Sequence, residues 1–183
     1  MAKLIVCLTG MPGSGKSTIV SALKAMDIET LNLGDGVRAE AKRRNLEPSG
    51  DNLGKLMLEL REKNGPGAIA ELLTERIKNS ESKIIIIDGV RSTAEIKVLK
   101  NIGTVKLLSI EASIDTRYKF LSDRGRSDDP ETREKFEERD NRELGVGIDK
   151  SIAIADETIS NNSITLHELT ERAYKIIKKW IDS

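Results

Sequence analysis

The eight residues Gly10-Met11-Pro12-Gly13-Ser14-Gly15-Lys16-Ser17 constrain this chain more than any other feature. They fit the spacing G-x-x-x-x-G-K-[ST] and lie between a short apolar run, Leu4 to Leu8, and an amphipathic stretch bearing Ile19, Val20 and Leu23. A run that is apolar at every position suits a strand buried on both faces of a parallel sheet. Glycines let successive backbone N–H groups turn inward, and a helix starting at the end of such a loop adds the positive end of its dipole. The expected product is a cradle for phosphate oxygens built by Gly10 through Thr18. Lys16 would reach the β- and γ-phosphates of ATP, and Ser17 would ligate Mg²⁺.

Other segments repeat the strand signature. Ile84 to Ile87 and Thr104 to Ile110 are clear candidates, and Glu29 to Leu33 and Thr158 to Ser160 are weaker ones. Between them run helical patterns: Leu53, Leu56, Met57 and Leu60; then Ile69, Leu72, Leu73 and Ile77; finally Leu166, Leu169, Ala173, Ile176, Ile177 and Trp180. Ser92-Thr-Ala-Glu95 places a hydroxyl three residues before a glutamate, the signature of a capping box at a helix start. Strands alternating with helices predict an α/β fold, a three-layer P-loop architecture with a five-stranded parallel sheet and helices on both faces. At 183 residues the chain has room for one core, so residues 1–183 are expected to form a single domain.

Composition narrows the partners. Thirty Lys and Arg balance thirty Asp and Glu, and the isoelectric point near 6.6 gives no global attraction to nucleic acid. No apolar run approaches the ~18 residues of a membrane span. The one cysteine, Cys7, lies inside an apolar run and is expected to be a small core residue; with no secretory leader in view, a cytoplasmic location is expected. The one histidine, His167, is expected at the surface or at a helix start, and without a His/Cys cluster a zinc site has no support.

Acids and arginines recur where strands end. Asp88-Gly-Val-Arg91 follows the Ile84 to Ile87 strand, at the sheet edge where open α/β folds bind ligands. Asp88 there would hold Mg²⁺ through water, or serve only as a turn acid. Gly34-Asp35-Gly-Val-Arg38 presents the same pairing of an acid with an arginine three residues later. Two arginines at one edge would bind an anionic acceptor facing the triphosphate, since guanidinium forms bidentate bonds to phosphate or carboxylate. Beyond them, Arg124-Gly-Arg126-Ser-Asp-Asp-Pro130 leads into a polar helix with Arg133, Arg139 and Arg142. Two readings fit this segment, a mobile cover closing over a triphosphate and a solvated helix laced with ion pairs.

Taken in order, Gly10 to Ser17, Gly34-Asp-x-x-Arg38, Asp88-Gly-x-x-Arg91 and Arg126-Ser-Asp-Asp129 resemble the nucleoside monophosphate kinases, the adenylate kinase and UMP-CMP kinase superfamily. The likeness spans roughly residues 3–140 and is nearest to an uncharacterised archaeal group related to adenylate kinases. The resemblance implies ATP-dependent phosphoryl transfer with Mg²⁺ to a small-molecule acceptor, foremost a nucleoside monophosphate. It also implies that Arg38 and Arg91 hold the acceptor phosphate, that residues 39–80 form acceptor-binding helices, and that 124–142 is a lid carrying Arg126 and Arg139 as catalytic arginines. Two features depart from the family pattern: the stretch from Arg126 to Arg139 is a couple of residues longer, and Lys119 and Phe120 stand where many relatives carry an arginine. The segment Ala155-Asp-Glu-Thr-Ile-Ser-Asn161 resembles instead a segment of dephospho-CoA kinases, which phosphorylate a hydroxyl. In that case a base is required, and Asp35 is the candidate. A third alternative is a nucleotide-binding ATPase or assembly factor that acts on a partner. No N-K-x-D sequence supports a GTPase switch. The oligomeric state is left open.

Overall fold

Five strands form among the described residues, 3–125 and 129–183 of a computed structural model: β1 (Lys3–Thr9), β2 (Glu29–Asn32), β3 (Ile84–Asp88), β4 (Gly103–Glu111) and β5 (Glu157–Ser160). They make one sheet in the order β2-β3-β1-β4-β5, every pair parallel. Side chains of a strand alternate between faces. Ile5 and Cys7 of β1 therefore join one core with Ile85, Ile87 and Leu107, while Val6 and Leu8 join a second with Ile86, Leu108 and Ile110. These two cores are why the strands read as unbroken apolar runs.

Helices cover both faces. Over the second core lie α1 (Lys16–Lys24), which contributes Ile19 and Leu23, and α10 (Leu166–Ile181), which contributes Leu169, Ala173, Ile177 and Trp180. The first core is roofed by α2 (Leu33–Arg43), α3 (Gly50–Asn64), α4 (Ala68–Glu71), α5 (Thr74–Asn79) and α6 (Thr93–Lys100). The remaining helices are α7 (Ile114–Arg124), α8 (Arg133–Val146) and α9 (Ile148–Ala153). The expected α/β class, parallel sheet and two-sided helical cover are all present.

Two local expectations need correction. Leu33 does not end a strand but begins α2, because the Asn32 side chain accepts from the Gly34 N–H at 2.7 Å and caps the helix one residue earlier than the apolar pattern implies. Ile69 to Ile77 is not one helix. The chain breaks between α4 and α5, leaving Leu72 42% exposed while Ile69 and Ile77 are fully buried. The polar α8 does pack: Phe136 is buried, stacks edge-on against Tyr118 at 5.4 Å, and lies beneath the Arg117 guanidinium at 5.0 Å. The capping box at Ser92 forms as expected, and Thr165 with Glu168 makes a second one at α10.

Candidate active site

Parallel pairing brings the strand ends to one edge. Leu8 of β1 and Asn32 of β2 both register with Asp88 at the end of β3, so the loop after β1 emerges beside the acid after β3. That loop turns through left-handed glycines. Gly13 has φ +81° and approaches the Arg117 carbonyl so closely that a Cβ would lie 2.5 Å from it; Gly15 has φ +110° and the same relation to the Asn161 amide, also at 2.5 Å. Neither position admits a side chain.

Lys16 opens α1 and folds back over the loop. Its Nζ donates to the carbonyls of Gly10 (2.5 Å) and Met11 (3.1 Å) and to Ser14 Oγ (3.3 Å). Withdrawal from water lowers its pKa from the ordinary 10.5 to about 8; the charge of Asp88 opposes the shift, and Arg91 and Arg139 add to it. A cleft of about 370 Å³ opens in front of the loop, lined by Gly10, Pro12 through Thr18, Asp88 and Arg91 among others. Met11 takes part through its carbonyl.

Asp88 is held from the side. Asn32 Nδ2 donates to Asp88 Oδ2 at 2.8 Å, while the other oxygen, Oδ1, is buried and has no hydrogen-bond partner. An acid with one oxygen pinned and one bare, in a cleft it shares with the Ser17 side chain, offers the hard oxygen donors that Mg²⁺ takes. The donor set fits the ion.

Arg38 on α2, Arg91 after β3, Arg124 at the end of α7 and Arg139 on α8 also line the cleft. Arg38 and Arg91 thus line one cleft from two elements, together with Lys16 and Asp88. Asp35, in the first turn of α2, has a side chain 69% exposed and pairs with Arg38 at 2.9 Å; it lines an adjoining groove with Ser17 and Asp88, not the main cleft. Arg139 pairs with Asp129 at 3.6 Å, and Asp129 also accepts from Arg124. Arg126 lies outside the described residues. On α8, Arg133 and Lys135 make surface pairs with Asp115 and Asp51, as a helix laced with ion pairs would, while Asp140 and Glu143 pair inward.

Several residues carried no sequence signal for the part they play at the site. Arg117, buried on α7, donates to the Pro12 carbonyl at 3.1 Å and grips both oxygens of Asp140, which ties the phosphate loop to α8. Glu95 accepts from the backbone N–H groups of Arg91 and Ser92 with one oxygen and from Arg61 with the other, fixing the turn that carries Arg91. Glu143, 2% exposed, meets Arg91 Nε at 2.6 Å. Asn161, singled out only as part of a likeness, donates to the Ser14 carbonyl at 2.9 Å. Cys7 is buried in the sheet, where desolvation raises its thiol pKa far above the reactive range, and His167 is exposed on α10. No group of three or more His, Cys, Asp or Glu able to hold a metal occurs among the described residues, nor any helix long and apolar enough to cross a membrane.

Known proteins are similar to this chain in sequence or in fold. The model of an AAA domain matches residues 9–137. A UPF0200 protein of Hyperthermus butylicus is 38% identical over 177 residues, covering 97% of this chain and 95% of the relative. Among solved structures, TT1252 from Thermus thermophilus superposes with a TM-score of 0.69 at 18% identity, over 98% of each chain. Shikimate kinase from Bacteroides thetaiotaomicron does so with a TM-score of 0.59 at 13% identity, over 96% of this chain and 98% of its own. At such identities these two structures speak for the fold alone, the α/β fold of the P-loop kinases. With Gly10 to Ser17 inside the matched domain and 97% of its length aligned to such a relative, the chain belongs to the UPF0200 family of P-loop proteins.

Proposed function

We propose that the protein is an ATP-dependent small-molecule kinase, transferring the γ-phosphoryl group of ATP to a phosphate-bearing acceptor, foremost a nucleoside monophosphate. The observation that carries this reading is the convergence of Arg38 and Arg91, from separate elements, on the cleft that holds Lys16 and Asp88. A nucleotide needs the loop and the metal acid; it does not need these two further arginines. An acceptor phosphate does.

In this reading the acceptor oxygen attacks the γ-phosphorus in line as the bond to the ADP oxygen breaks. Lys16, Arg139 and Arg126 offset charge on the transferring group, and the backbone of Gly10 to Thr18 positions the donor. Mg²⁺, held by Ser17 and Asp88, would neutralise the β- and γ-oxygens. A phosphate acceptor is already an anion, so no side chain need remove a proton. Residues 39–80 would enclose the acceptor, 124–142 would cover the transferring group, and the site of action is the cytoplasm.

The deciding experiment measures ADP release with a panel of nucleoside monophosphates and dephospho-CoA. We expect acceptor-dependent turnover with a monophosphate, and a raised KM for that acceptor, with little change in KM for ATP, in Arg38→Ala and Arg91→Ala. Release of ADP that no acceptor accelerates would make the protein an ATPase. A response to dephospho-CoA alone would keep the kinase but require a base, which Asp35→Asn would have to abolish.

A further inference from the structure

A slot of about 60 Å³ adjoins the main cleft between α2, α3 and α8, and shares Gly34, Arg38, Arg91 and Arg139 with it. Arg142 of α8 also lines the slot, and it differs from the other three arginines. Arg38 faces Asp35, Arg91 faces Glu143 and Arg139 faces Asp129. Among the described residues no carboxylate is paired with Arg142, and its buried Nε has no hydrogen-bond partner. A guanidinium nitrogen withdrawn from water without a partner is costly.

Its position is nonetheless built. The guanidinium lies against the backbone of Gly54 in the middle of α3: a Cβ there would stand 2.6 Å from Nη1, 2.8 Å from Cζ and 3.1 Å from Nε. Glycine inside a helix costs ~1 kcal/mol relative to alanine, and no backbone strain calls for it, since Gly54 does not have positive φ. What the missing side chain provides is a flat seat for Arg142.

We infer that Arg142, seated on Gly54, is the binding residue for an oxyanion of the acceptor, specifically the phosphate of a phosphate monoester. The inference rests on the reading of the cleft as a phosphoryl-transfer site. The three paired arginines must each exchange a carboxylate for the incoming anion. Arg142 has none to exchange, so it engages first and sets affinity, with its planar fork matched to two phosphate oxygens.

The test uses the full chain saturated with MgADP, so that the phosphate loop is filled, and titrates inorganic phosphate and, separately, acetate by calorimetry. Phosphate should bind the wild type, and Arg142→Gln should weaken it ~10- to 100-fold, the range for a charged hydrogen-bonded contact. Gly54→Ala should weaken it likewise by pushing the guanidinium off its seat, while the melting temperature holds or rises because alanine favours the helix. MgADP affinity should stay within about twofold of wild type in both variants, since neither residue touches the donor loop. Unchanged phosphate binding in both variants, no phosphate binding by the wild type, or equal preference for acetate would each overturn the inference. Acceptor turnover that persists alongside any of these would remove Arg142 from the site and leave the kinase standing. Phosphate binding lost in both variants without any acceptor turnover would uphold the anion site and sink the kinase.

Discussion

Asn32 joins Asp88, at the end of β3, to the helix that carries Arg38. Its Nδ2 donates to Asp88 Oδ2 at 2.8 Å while its Oδ1 accepts from the N–H of Gly34 at 2.7 Å, so one amide orients Asp88 and starts the helix that carries Arg38. Any change in one end of this amide is felt at the other.

Asp88→Asn therefore tests more than charge. The new amide keeps the size of the carboxylate but puts two donors or a weaker acceptor against Asn32, and it removes the charge that would hold Mg²⁺ in the proposed reading. We expect Mg²⁺-dependent activity to fall far more than metal-free nucleotide binding, with the MgCl₂ requirement moving to higher concentration. An unaltered metal titration would return Asp88 to the role of a turn acid. Asn32→Leu should mimic part of the loss and also destabilise the fold by ~1 kcal/mol through the missing cap.

Lys16 predicts a pH dependence with a definite sign. Its ammonium has a pKa of about 8 in the folded protein against an ordinary 10.5. Between those values the unfolded chain holds a proton that the folded chain has released, so the contribution of this group to stability improves as pH rises through the window. Nucleotide binding runs the other way. Phosphate oxygens need the charged form and raise its pKa, so affinity for ADP should be level below pH about 8 and fall by up to about tenfold per pH unit above it, with proton uptake on binding. Calorimetry in buffers of different ionisation enthalpy measures that uptake directly. Lys16→Ala should abolish the pH dependence and cost ~10²- to 10³-fold in turnover, as loss of a transition-state charge contact does.

What is legible in the sequence and what is not divide along chain separation. The phosphate loop is contiguous, and its glycines, lysine and serine carry their chemistry in fixed order, so Gly10 to Thr18 can be placed from the order of residues alone. The strands are legible because burial on two faces leaves no polar position, as in Ile85, Ile86 and Ile87. The supports are not. Asn161 reaches Ser14 across 147 positions and Arg117 reaches Pro12 across 105, and no local pattern marks a side chain whose partner is so far away. Leu72 misleads because helical spacing registers apolar residues without registering where the chain turns, and it ends exposed on the surface. Glu143 is hidden among the many glutamates of α8, where only the packing against Arg91 distinguishes it.

Asn161 offers a test of how the far end of the chain supports the loop. Its amide is the donor for a buried Ser14 carbonyl and packs on Gly15, so Asn161→Ala leaves that carbonyl unpaired at a cost of ~1–3 kcal/mol. The loop rather than the sheet should loosen. We expect a raised KM for ATP with a modest fall in melting temperature, and hydrogen exchange accelerated in the loop and unchanged in β1. Exchange that rises uniformly would assign Asn161 to global stability alone.

Arg117 and Asp140 couple the loop to α8, and a double-mutant cycle measures the coupling. Arg117→Met removes the donor to Pro12 and leaves the Asp140 carboxylate, 15% exposed, without its partner. Breaking such a pair costs ~3 kcal/mol, roughly 6–12 °C in melting temperature for a domain of this size. Asp140→Leu alone should cost a similar amount by stranding the guanidinium. The two together should cost clearly less than the sum, since no unpaired charge is left behind. Activity should behave differently from stability. The double variant has lost the link between α8, which carries Arg139, and the loop that carries Lys16, so kcat should remain low even where the melting temperature recovers. Full recovery of kcat along with stability would show that the pair serves folding only, and that α8 takes its place against the loop without it.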